Sequence, residues 1–136
     1  MIILEKDIVK DFCVNKVGYF SELIGLDFRV YGIELPIKTN DGVKYADVIL
    51  EVVDDSGFRE KKLYVLEFKK DKIDYHSVIS QVQRYCHFIV KQLYKNTPAR
   101  PVLVAPEFSR WELRNALKAG VFCVQLDTKG NMRRLC

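Results

Sequence analysis

No stretch of this chain approaches the roughly 18 uninterrupted apolar residues of a membrane-spanning helix, which excludes a helical membrane anchor from the pattern alone. None of its four cysteines stands in a CxxC pair, so nothing points to a zinc centre or a dithiol site. Cys13, Cys86, Cys123 and Cys136 read as buried or incidental thiols, with a disulfide expected only in an oxidising or hyperthermophilic setting. Histidine is scarce: His76 and His87 each stand alone and read as solvated or hydrogen-bonded groups rather than catalytic ones. A secretory signal is missing, because MIILEKDIVKDF places acids and lysines where the apolar region should continue, and an intracellular protein is expected. Repeats, linkers and low-complexity segments are absent too. With 136 residues, 49% of them hydrophobic, the chain reads as one domain over 1–136 with a real core. The 22 basic residues exceed the 18 acidic ones by only four, which tolerates a polyanionic partner without requiring one.

The patterning that is present divides the chain into helices and strands. Ile8, Val9, Phe12, Cys13, Val17 and Phe20 recur at helical spacing between about Leu4 and Gly25, with Gly18 and Ser21 as points of interruption, so a helix in one or two pieces is predicted. From Phe28 to Ile37 the pattern is rich in β-branched and aromatic residues, and Pro36 requires an edge or a strand end. Asn40-Asp41-Gly42 signals a turn into a second strand, Lys44 to Val53, and Asp54-Asp55-Ser56-Gly57 a turn into a third, Lys62 to Lys69. These three form an antiparallel meander. Asp74 has the character of an N-cap for a helix through Val78, Val82, Tyr85, Ile89 and Leu93, closed by Asn96-Thr97-Pro98. A strand over Pro101 to Pro106, a helix from Ser109 to Ala119 closed by Gly120, and a strand from Val121 to Leu126 complete the order α-β-β-β-α-β-α-β. A mixed central sheet with helices on both sides is the expected α/β architecture.

One feature breaks the apolar logic of the strands. In LYVLEFKK, alternation puts Leu63, Val65, Glu67 and Lys69 on one face, and the hairpin return brings Asp47 of the second strand towards Glu67. Two carboxylates held together repel unless a cation lies between them, and oxygen ligands of this kind suit Mg²⁺ or Mn²⁺. A lysine two residues along can orient a water or donate to a developing oxyanion, as phosphodiester hydrolysis requires. Taken alone, Asp47 with Glu67-x-Lys69 reads more readily as an exposed ion pair beside an edge-strand acid, worth about 0–1 kcal/mol.

The following helix changes the balance. Asp47, Glu67-Phe68-Lys69 and Gln81-Val-Gln-Arg-Tyr85 resemble, in order, the site of the PD-(D/E)XK nucleases of the restriction-endonuclease-like superfamily, over nearly the whole chain. The proline of the nominal motif is replaced by Ala46. Within the superfamily the chain is similar to the RecB-like clade, including archaeal mismatch- or branch-specific endonuclease domains, and more loosely to archaeal Holliday junction resolvases. The segment RPVLVAPEFSRWELRNALKAGVFCVQLD carries that second resemblance.

The resemblance implies a restriction-endonuclease-like core and a structure-directed, Mg²⁺- or Mn²⁺-dependent endonuclease acting on branched, flap, mismatched or single-stranded DNA. Repair, recombination and viral or mobile-element genome processing are all compatible settings. It assigns the metal to Asp47, Glu67 and the Phe68 carbonyl, catalysis to Asp47, Glu67, Lys69, Gln81 and Tyr85, and a further acid on the first helix to Glu5, with Glu22 and Glu34 as rivals. Lys70, Lys72 and Arg84 are expected to contact phosphates. Trp111 reads as a core or interface anchor or as a base-stacking platform. A homodimer would provide two sites for two strands. A binding module without turnover, or an RNA-processing nuclease on the same fold, remains the alternative.

Overall fold

The computed structural model describes residues 4–53, 62–73, 77–92 and 98–136. The N-terminal helix comes in two pieces, α1 (Glu5–Asp11) and α2 (Val17–Ile24), joined by a π-helical turn over Phe12–Lys16. The interruption therefore precedes Gly18 and Ser21, and packing explains it. Phe12 and Phe20 are both fully buried, yet eight residues of regular α-helix would set them about 80° apart around the axis. A widened turn between them reduces that offset and lets both rings face the sheet. Gly25, at φ 85°, ends α2 in the left-handed conformation that glycine adopts without penalty.

Six strands form one sheet in sequence order: β1 (Phe28–Thr39), β2 (Gly42–Val52), β3 (Leu63–Phe68), β4 (Ala99–Ala105), β5 (Phe122–Leu126) and β6 (Met132–Arg134). β1, β2 and β3 are the expected antiparallel meander, β3, β4 and β5 run parallel, and β6 returns antiparallel. Helices α3 (Ser77–Gln92) and α4 (Arg110–Ala119) occupy the connections between the parallel strands. Pro36 lies in the edge strand β1, where a missing N–H is tolerated. The sixth strand is an addition to the sequence reading, since three residues are too few to display alternation. Ser109 is the N-cap of α4, its hydroxyl accepting from the Glu112 N–H at 3.1 Å. The expected N-cap Asp74, the Asp54–Gly57 turn, and Leu93, Asn96 and Thr97 lie outside the described residues.

Alternation gives β3 two different faces. Tyr64, Leu66 and Phe68 join Phe12, Phe20, Phe28, Val48 and Leu50 in a single aromatic-rich cluster under α1 and α2. On the opposite face the core is split. Leu63 and Val65 pack with Ile49, Tyr85 and Ile89, whereas Leu103, Ala105 and Cys123 pack with Ile79, Val82 and Phe108. Glu67 follows Val65 on that second face and pairs in register with Leu103, between the two clusters. Both Cys86 and Cys123 are buried and Cys13 and Cys136 half-buried, all as free thiols.

Candidate active site

Asp47 and Glu67 meet where β2 and β3 part. The strand pairing between them extends to Val48 opposite Leu66; beyond it the Phe68 N–H donates to Asp47 Oδ2 at 2.8 Å, so the carboxylate takes over from the backbone ladder and is fixed by it. β1 departs from regular geometry beside the same point. Glu34 falls opposite Asp47 in the register that joins Ile33 to Val48 and Leu35 to Ala46, and it holds a left-handed φ of 50°.

Glu67 is only 5% exposed. Its Oε1 lies 3.9 Å from the Lys69 ammonium, while its Oε2 is buried with no hydrogen-bond partner among the described residues. Burial, first, and then the negative charge of Asp47 push the Glu67 carboxyl up to about 9; the hydrogen bond with Asp47 and the charge of Glu5 act in the same direction, against Lys69. Burial also raises Asp47, held in check by the Phe68 N–H, the hydrogen bond with Glu67 and the Lys69 charge. The two carboxyls thus behave as a pair with too much negative charge for its surroundings, both raised by burial and Glu67 further by the charge of Asp47.

A buried carboxylate oxygen without a donor, beside a second carboxylate, is the donor set of a hard divalent cation. Asp47 and Glu67 fit that role. Among the described residues no group of three His, Cys, Asp or Glu side chains is arranged to enclose a metal by itself, so this would be a site in which backbone oxygen and water complete the shell, as Mg²⁺ prefers.

Of the three glutamates considered for the first-helix position, Glu5 is the one whose charge reaches both acids, and its Oε1 accepts from the Lys70 N–H at 3.4 Å. Glu22 is exposed on α2 among Tyr19, Leu23 and the Asn131–Met132 segment. Lys69 and Lys70 line a cavity of about 320 Å³ formed with α1, the Ala105-Pro106 segment and the loop after β5. Lys72 pairs with Glu107 at 3.5 Å, and Arg84 lies 3.7 Å from Asp41.

Gln81 and Tyr85 come together as their four-residue spacing requires, the amide donating to the phenol at 2.9 Å. They face a different hollow from the one beside Lys69. With Thr39, Asp41, Lys44 and Arg84 they line a cavity of about 300 Å³ between the β1–β2 turn and α3. Tyr85 belongs to the same buried cluster as Ala46, the residue before Asp47, and neither acid lines the hollow. Lys44 and Asp41 were invisible as partners of α3 in the sequence; the turn signal at Asn40-Asp41-Gly42 marks the segment but not what it folds against. Trp111 is 66% exposed and contributes nothing to the core.

No protein-family model matches this chain, and no curated protein matches it. Solved structures do. A repair endonuclease from Pyrococcus abyssi superposes with a TM-score of 0.62 at 26% identity, over 93% of this chain and 48% of that one. EndoMS in complex with double-stranded DNA gives a TM-score of 0.60 at 18% identity, over 93% and 47% of the two chains. EndoMS in its apo form gives 0.50 at 16% identity, over 93% and 48%. The fold is shared with these endonucleases. The present chain spans about half the length of each, so the likeness concerns an α/β unit and not their whole architecture.

Proposed function

We propose that the chain is a metal-dependent nuclease domain hydrolysing phosphodiester bonds in DNA, in a repair or recombination setting. The observation that carries this reading is the buried Asp47–Glu67 pair, with an unpartnered Glu67 oxygen and Lys69 at 3.9 Å. The fold shared with a repair endonuclease, and with a protein whose structure holds double-stranded DNA, supports the substrate class.

Asp47, Glu67 and the Phe68 carbonyl would hold Mg²⁺ or Mn²⁺, a charge that offsets the two acids and stabilises the negative charge developing at phosphorus. The Phe68 N–H keeps the Asp47 carboxylate in one orientation, which fixes the donor set without a rearrangement. Lys69 is tethered by its own N–H to the Val104 carbonyl at 2.9 Å, so its ammonium stands at the edge of the site on a rigid strand end. There it donates to the attacking water and to the phosphate oxygens. Glu5 adds a further carboxylate on α1 whose charge is felt by both acids. Gln81 and Tyr85 orient the strand from the α3 side.

Structure-directed cutting of mismatched, branched or flap DNA is the form of activity proposed, in keeping with the fold shared with a repair endonuclease. The test is cleavage of end-labelled single-stranded, duplex, mismatched, flap and four-way-junction DNA in Mg²⁺ or Mn²⁺. Cutting lost in both Glu67→Ala and Lys69→Ala is the expected result, and wild-type rates in either variant would overturn the assignment. Binding of DNA without metal uptake, measured by titration calorimetry with Mn²⁺, would favour a module without turnover. Sedimentation of the chain with and without DNA tests the homodimer that two-strand cutting calls for.

A further inference from the structure

The hollow between the β1–β2 turn and α3 has a wall that is held in place on both sides. Thr39 Oγ1 donates to the Gly42 carbonyl at 2.8 Å and accepts from the Asp41 N–H at 3.2 Å, closing the turn on itself. Gln92, in the last turn of α3, clasps the backbone of Lys38 in both directions, its amide donating to the Lys38 carbonyl at 2.6 Å and its oxygen accepting from the Lys38 N–H at 3.1 Å. The tip of the hairpin is therefore fixed to the helix rather than waving in solvent, and a ligand entering the hollow finds its donors already arranged.

Those donors suit one chemistry. Lys44 and Arg84 supply two cations against the single carboxylate of Asp41, and Thr39, Gln81 and Tyr85 supply neutral polar groups. Arg84 has a guanidinium fork, and its Nη1 lies 3.7 Å from an Asp41 oxygen, too long for a hydrogen bond and near enough to attract. Lys44 has no salt-bridge or hydrogen-bond partner among the described residues. A tetrahedral phosphate oxyanion answers all of this: it accepts from the Lys44 ammonium, from the Arg84 fork and from neutral donors, at a place where a carboxylate now sits at a distance.

The geometry points to this hollow as the seat of a backbone phosphate of the nucleic-acid strand, next to the scissile one, with Lys44 as its principal cation and Asp41 as an internal competitor for Arg84. This rests on the nuclease reading and extends it. Tyr85 of this hollow belongs to the same buried cluster as Ala46, the residue before Asp47, and Lys69 of the cavity at α1 lies 3.9 Å from Glu67, so each lysine-bearing hollow is linked to one of the acids. A strand crossing the acids is held upstream and downstream of the cut.

The test is binding of a fluorescein-labelled short DNA duplex, and of one of its strands alone, by the full chain in Ca²⁺, over a range of KCl concentrations. Lys44→Ala is expected to weaken binding and to reduce the slope of log K against log salt by about 0.9 on duplex, or about 0.7 on a single strand, with Lys44→Arg restoring it. An unchanged slope in Lys44→Ala overturns the phosphate seat. Asp41→Asn is expected to tighten binding, and an unchanged or weaker affinity removes Asp41 as competitor. Circular dichroism of each variant separates these effects from loss of fold. If the wild-type chain binds neither duplex nor strand at low salt, the nuclease reading falls together with the inference; if it binds and Lys44 is indifferent, only the inference falls.

Discussion

The two faces of β3 differ in what burial is used for. Under α1 and α2, Phe12 meets Phe20 and Phe68 edge-on with ring centroids 5.8 and 5.1 Å apart, and Phe28 meets Tyr64 at 4.8 Å, so one unbroken aromatic layer fills the space. Under α3 and α4 the apolar surface is divided, and the residue between the two halves is a carboxyl that no hydrogen bond completes at Oε2. The first face stabilises the fold; the second gives up part of that stability to keep an ionisable carboxyl where water is scarce. Functional sites commonly carry such local cost.

The sharpest way to break this contrast is at Phe68, whose ring is fully buried in the aromatic layer although the residue flanks the site. Phe68→Ala is expected to destabilise the chain by about 3–5 kcal/mol in urea denaturation. Lys69→Ala should do the reverse: DNA cleavage in Mg²⁺ falls about 10²–10³-fold, while the urea midpoint barely moves, because a half-buried ion pair at 3.9 Å adds little to stability.

Glu67 lies between these extremes. A carboxyl raised to about 9 in the folded chain keeps its proton where the unfolded chain has lost it. The folded state then binds more protons than the unfolded one as pH climbs from the ordinary glutamate range, so the contribution of this group is most favourable at low pH and worsens progressively towards pH 9. In chelator at pH 8, Glu67→Gln is expected to be more stable than the parent by about 1–3 kcal/mol, and the gain should disappear near pH 5. Thermal melts of both proteins across that range check it; a gain that does not vary with pH would count against burial as the cause. The smallest effect is expected far from both faces' contest, at the cap of α4: Ser109→Ala costs about 1 kcal/mol in the same denaturation assay and leaves cleavage unchanged.

Much of the fold was legible because its signals are local. β-Branched and aromatic composition together with the turn signals located β1, β2 and β3 to within a few residues, and Ser109 and Gly120 marked both ends of α4. The π-helical turn at Phe12–Lys16 was not legible, since its cause is the simultaneous burial of Phe12 and Phe20 against a sheet far along the chain. β6 escaped because its three residues are held by pairing with β5 and not by any propensity of their own.

The site divides in the same way. The proximity of Asp47 to Glu67 follows from hairpin geometry, and that of Lys69 to Glu67 from their two-residue spacing, and the sequence alone determined both. Which of three glutamates faces the acids, that Gln81 and Tyr85 open on a hollow shared with Lys44 and Asp41, and that Glu67 is buried deeply enough to hold its proton were decided by the tertiary structure. The physical reason is that spacing along the chain sets the direction of a side chain, whereas its charge state depends on what other elements exclude water from it.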